Sequence, residues 1–156
     1  MKFKLLFAFC LPLAAACAEK PDEAPAPAME PAQQPVAIPR STSAEDARVF
    51  FISPADGDTV TNPIKVVFGA EGMTVVPAGN DTPHSGHHHL LIDTELPELG
   101  MPIPKDDHHV HFGDGSTETE ITLEPGEHTL QLLLGDHLHI PHDPPLSSAR
   151  ITITVK

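Results

Sequence analysis

The chain has 156 residues, 20% of them charged, with 22 acidic residues against 9 basic ones and a formal net charge of −13. Without a Lys/Arg cluster to neutralise phosphates, nucleic acid is excluded as a partner. The length leaves room for one domain, and with no Trp or Tyr and only 4% aromatic residues its core must be built from Leu, Ile and Val.

Residues 1–16 read as a secretion signal. Lys2 and Lys4 form the positive end, Leu5 to Leu13 the apolar stretch, and Ala14-Ala15-Ala16 the small residues before a cut. The apolar stretch is too short to span a bilayer, which takes about 20 residues. Leu13-Ala14-Ala15-Ala16-Cys17 resembles a lipobox, which makes Cys17 the lipidated residue and the membrane a partner through a lipid anchor alone. A cut after Ala18 is the competing site and would release a soluble protein. Ala18 behind the cysteine favours the periplasmic face of the outer membrane. Cys10 leaves with the signal and Cys17 is acylated or lost, so the domain has no disulfide and no thiolate ligand. Without Lys2 and Lys4 the balance becomes −15, seven basic residues against 22 acidic ones. Such charge suits solubility and also attracts cations.

Residues 17–46 are rich in Pro, Ala and Glu and are expected to form a disordered spacer. Extended, roughly 25 such residues at about 3.1 Å each reach about 80 Å. The domain is expected over 47–156. Strands are predicted at 49–52, 64–68, 87–93, 108–112, 117–123, 128–134 and 150–155, separated by turn sequences such as Asp56-Gly57 and Pro125-Gly126. Ile151-Thr152-Ile153-Thr154-Val155 alternates as a strand with one wet face should. Seven short strands and no helical stripe predict an all-β, immunoglobulin-like antiparallel sandwich. The Pro-containing stretch 94–107 reads as a long loop over one end, with Met101 filling a gap in it.

All eleven histidines fall between His84 and His142, and six form the pairs His87-x-His89, His109-x-His111 and His137-x-His139. In a strand, residues i and i+2 share a face about 6.5–7 Å apart, so two imidazoles can lean onto one ion. A third ligand must come from a neighbouring strand or loop. His142 follows three residues after His139 and joins the candidates. An all-nitrogen set suits copper, zinc or nickel, with copper first by affinity order and zinc second; a blue-copper centre is excluded for want of Cys. Asp93, Asp107, Asp136 and Asp143 lie near the pairs; each alone reads as an exposed turn aspartate, with the role of acceptor for a ring N–H group as the alternative. His88 alternates to the other face and is expected to be a hydrogen-bonded structural residue, and His84 and His128 stand apart from the pairs. Metal binding is expected to weaken as pH falls through about 6.5, where free imidazoles protonate.

Ser85-Gly86-His87 lacks a nucleophile elbow around the serine, so no hydrolase is assembled and the chain reads as a binding protein rather than an enzyme. The expected function is a tethered metal-binding protein in periplasmic or surface metal handling, with a metal ion and another envelope protein as partners. The rival is an immunoglobulin-like interaction module whose histidines shape a protein or glycan contact.

The segments Gly86-His87-His88-His89-Leu90-Leu91-Ile92-Asp93, His109-Val110-His111-Phe112-Gly113, Thr117-Glu118-Thr119 and Pro125-Gly126-Glu127-His128-Thr129-Leu130-Gln131-Leu132 carry a resemblance. With Gly135-Asp136-His137 through Pro144-Pro145 and Ser147, they resemble the bacterial secreted family catalogued as domain of unknown function forty-three ninety-nine. The resemblance covers about Gly69 to Val155. It implies an exported, compact, β-rich and His-rich domain with no established activity.

Overall fold

The computed structural model describes residues 39–156. The expected signal, Cys17 and most of the spacer lie outside the described residues. Within them the chain forms nine strands: β1 (Arg48–Ser53), β2 (Thr59–Val60), β3 (Ile64–Glu71), β4 (Thr74–Val75), β5 (Ser85–Ile92), β6 (His109–His111), β7 (Glu118–Ile121), β8 (Gly126–Gly135) and β9 (Ile151–Val155). No helix occurs among the described residues.

The strands make two sheets. One has the order β1-β3-β7 and the other β2-β9-β8-β5-β4, with β6 also pairing β5. All seven expected strands are present. The two additions, β2 and β4, are two-residue parallel pairings with β9 and β5, too short for alternation to reveal. The sheets face one another across one core. Val49, Ile64, Val66 and Phe68 from the first meet Leu90, Ile92, Leu130, Leu132, Leu134 and Ile153 from the second. Strand β9 keeps the expected parity, with Ile151, Ile153 and Val155 buried and both threonines half-buried.

Strand β5 departs from that parity because all eight of its residues are buried. Its inner face lies on the main core. Its outer face is covered too, and there Leu91, Ile103 and Leu133 form a second, small apolar cluster. Ile103 belongs to the Pro-containing loop, which is tied down where Ile103 N donates to His139 O at 2.8 Å. Met101 fills no gap, contrary to expectation. Its side chain is 37% exposed, because the inward position is taken by Ile103.

Part of the stretch read as spacer packs on the domain. Arg40 Nε donates to Pro141 O at 2.9 Å and Ser41 Oγ to Asp136 Oδ2 at 2.8 Å. Asp143 N donates to Ser41 O at 2.9 Å. These bonds tie residues 40–43 to the loop that follows β8.

Candidate metal centre

Strand pairing places the candidate ligands. In the antiparallel β5–β6 pair His89 stands opposite His111, and cross-strand partners share a face. His87, two residues before His89, points the same way. On the other side of β5, His89 is opposite Leu133 and His87 opposite Gly135 of β8. The turn after β8 then brings His139 over the same spot. The ring centroids lie 4.9 Å apart for His87 and His89, 5.0 Å for His87 and His111, and 5.1 Å for His89 and His111. His139 lies 4.9 Å from His87, 4.8 Å from His111 and 6.1 Å from His89.

One nitrogen from each of His87, His89 and His111 falls within 4.8 Å of the others, a grouping able to hold a metal ion. Both ring nitrogens of His87, Nδ1 of His89 and Nε2 of His111 are buried without a hydrogen-bond partner. Leaving such groups unpaired costs about 1–3 kcal/mol each, so the protein lavishes no ordinary polar contact on these rings.

Two glycines make room for them. A Cβ on Gly135 would stand 2.8 Å from His89 Cε1, and one on Gly113 would collide with His111 Cε1. Spacing gives neither glycine a role beside the rings, although Gly113 lies two residues beyond the second pair.

Burial also sets the protonation state. Desolvation, followed by the neighbouring His139 and His111, lowers His87 to about 4. Desolvation, then His87, His111 and His139, lowers His89 to about 2. His111 is lowered as well, first by burial and then by His139. At neutral pH these rings are uncharged, the form that ligates a metal. The pH window expected from free imidazole therefore moves downward.

The other three candidates are placed elsewhere. His109 is opposite Leu91, and its Nδ1 sits 2.8 Å from Asp106 Oδ1. His137 directs Nδ1 to Asp81 at 3.2 Å, because a turn does not preserve the i, i+2 parity of a strand. His142 is buried with Nε2 3.1 Å from Ser85 O and Nδ1 3.4 Å from Leu134 O. The third pair is thus divided, with His139 inside the cluster and His137 outside it.

The expected aspartates serve other groups. Asp93 accepts from Thr129 N at 2.7 Å and meets His128 Nδ1 at 2.6 Å. Asp136, 2% exposed, accepts from Leu138 N and Ile140 N, each at 2.9 Å. Burial alone would raise its carboxyl, yet the bonds from Ile140, Ser41 and Leu138 hold it below the usual range. Asp136 therefore shapes the turn that carries His139. Asp143 meets Arg40 at 3.4 Å, and Asp107 is exposed.

His88 alternates to the other face as expected and departs from expectation only in having no hydrogen bond. It faces the main core, with its ring edge-on to Phe68 at 4.8 Å, and neither nitrogen has a hydrogen-bond partner. Burial lowers it to about 4.

Residues 66–156 match the model of a family described as Domain of unknown function (DUF4399). No curated protein and no solved structure matches the chain.

Proposed function

The chain belongs to the family Domain of unknown function (DUF4399), and because that membership assigns no activity, we propose from the site itself that it is a metal-binding protein of the cell envelope. The ion is copper first and zinc second, and the role is metal handling at a periplasmic or surface position, with Cys17 as the lipid anchor and the acidic balance drawing cations in. The observation that carries the reading is the convergence of His87, His89 and His111 with ring nitrogens buried and unpaired. An ion at about 2.0–2.1 Å from one nitrogen of each ring would give the three imidazoles a common partner. Their uncharged state at neutral pH supports the same reading, since no proton has to be displaced.

Titration of the full chain with Cu(II) and with Zn(II), followed by metal analysis, tests it. One ion per chain is expected at pH 7. Uptake should persist at pH 5.5, because burial holds His87 and His89 well below the ordinary imidazole value. His89→Ala should weaken binding by roughly a hundredfold or more. Absence of stoichiometric uptake, or equal affinity in the variant, overturns the proposal. The chain has no Trp or Tyr, so bands that accompany Cu(II) binding will stand on a low background.

A further inference from the structure

His139 occupies a backbone conformation that histidine seldom adopts. Its φ is 66°, a region that Gly enters freely and Asn at modest cost. The surrounding turn over-determines it. His139 N donates to Asp136 O and Asp136 N to Ile140 O, both at 2.9 Å, while Ile103 N holds His139 O at 2.8 Å. The carboxylate of Asp136 fastens Leu138 N and Ile140 N from within. Had the turn required only this backbone shape, glycine would have served. The imidazole is what such a residue adds.

The four rings can be compared with the shapes that metals impose. A bond of about 2.0–2.1 Å puts each centroid about 3.2 Å from the ion, so four tetrahedral ligands hold their centroids about 5.2 Å apart. A square-planar set would give four separations near about 4.5 Å and two near about 6.4 Å. Here five of the six lie between 4.8 and 5.1 Å and the sixth is 6.1 Å. The set is a tetrahedron with one edge opened, His89 to His139, while the opposite edge from His87 to His111 stays at 5.0 Å. Five of its six edges already stand near the loaded spacing; the three rings of the converging group are in place, and His139 has to close toward His89 when an ion binds.

We infer that His139 is the fourth ligand, and that the four imidazoles form a closed tetrahedral cage for an ion without geometric preference, Zn(II) or Cu(I), with no coordination position left for water or substrate. This rests on the metal-binding reading and adds to it the number of ligands, the class of ion and the closure of the site. Cu(II), which prefers tetragonal surroundings, gains less from such a cage. A site with all four positions filled holds or stores its ion rather than activating water.

Cobalt(II) serves as the probe, with azide as the incoming ligand. The full chain loaded with cobalt(II) should show the strong visible absorption of a four-coordinate ion, unchanged by azide. His139→Asn keeps a residue that tolerates the left-handed backbone, and His139→Gly relieves it altogether. Each should still bind cobalt(II), with affinity lower by roughly 10–100-fold, and each should respond to azide because a position has opened. Circular dichroism of the metal-free variants verifies that they fold. An azide response in the unaltered chain, or azide-silent spectra in both variants, overturns the closed site while the three-histidine reading stands. Failure of the unaltered chain to take up cobalt(II), Zn(II) and Cu(II) alike overturns both.

Discussion

Strand β5 buries three consecutive histidines in two unlike ways. On the inner face His88 is alone, set among Leu90, Ile92 and Phe68 with no polar group in reach of its nitrogens. On the outer face His87 looks at His111 and His139 across distances near 5 Å, and His89 at His111 across 5.1 Å and at His139 across 6.1 Å. Desolvation strips all three of their charge. The difference is convergence. A solitary buried imidazole is an uncompensated polar group, whereas several aimed at one point gain a common partner when an ion arrives. Burial and a lowered pKa are therefore not enough to mark a ligand; neighbours decide.

The outer face breaks most readily through its glycines. Gly135→Ala puts a methyl group 2.8 Å from His89 Cε1 and 3.2 Å from Ile103 Cδ1. The ring cannot withdraw freely, since His87 and His111 stand around it. Affinity for Zn(II) should fall on the order of a hundredfold, read by competition with a chelator of known strength. Unchanged affinity would mean that His89 has room the geometry denies it, and the outer face would lose its distinction from the inner one.

Much of this arrangement was legible beforehand. Alternation and turn residues gave seven strands, and the i, i+2 rule put His87 and His89 on one face with His111 on the next strand. The rest depended on quantities that a single sequence does not display. His109 shares a strand with His111, but register sets it opposite Leu91, and Asp106 three residues earlier takes its ring. His137 and His139 were read as a pair because their spacing matched the others. Their turn has no strand parity, and a φ of 66° at His139 sends one ring inward while the other meets Asp81. Gly113 and Gly135 matter through what they lack, and a missing Cβ has no pattern of its own.

The inner face yields the next effect, this time on stability. His88→Phe replaces a ring whose nitrogens are unpaired with one that suits its apolar surroundings. Measured with a chelator present, stability at pH 7 should rise by about 1–3 kcal/mol. The pH dependence follows from the lowered folded values. Above about 6.5 neither folded nor unfolded imidazole is charged, and these groups add no slope. As pH falls below that, the unfolded chain takes up protons that folded His87, His88 and His89 refuse, so stability declines toward pH 4. Removing His88 deletes one contribution, worth up to about 1.4 kcal/mol per pH unit, and the acid midpoint should move downward. A midpoint that stays put, or moves up, would show that His88 finds a partner in the fold after all.

The smallest expected effect concerns His109, which shares a strand with His111 of the cluster and lies outside that cluster. His109→Asn retains a group able to hydrogen-bond Asp106, whose carboxyl the His109 ring now holds below its usual range. Zn(II) affinity should change by less than about twofold, whereas His111→Asn removes a ring from the cluster and should cost roughly a hundredfold. Both residues belong to one His-x-His pair and lie on the same three-residue strand, so secondary structure and spacing cannot separate them. Only the cross-strand partner does, His89 for one and Leu91 for the other. Equal losses from the two substitutions would mean that the pair acts as a unit and that register does not choose the ligand. Unequal losses would tie the metal site to the same pairing that builds the sheet.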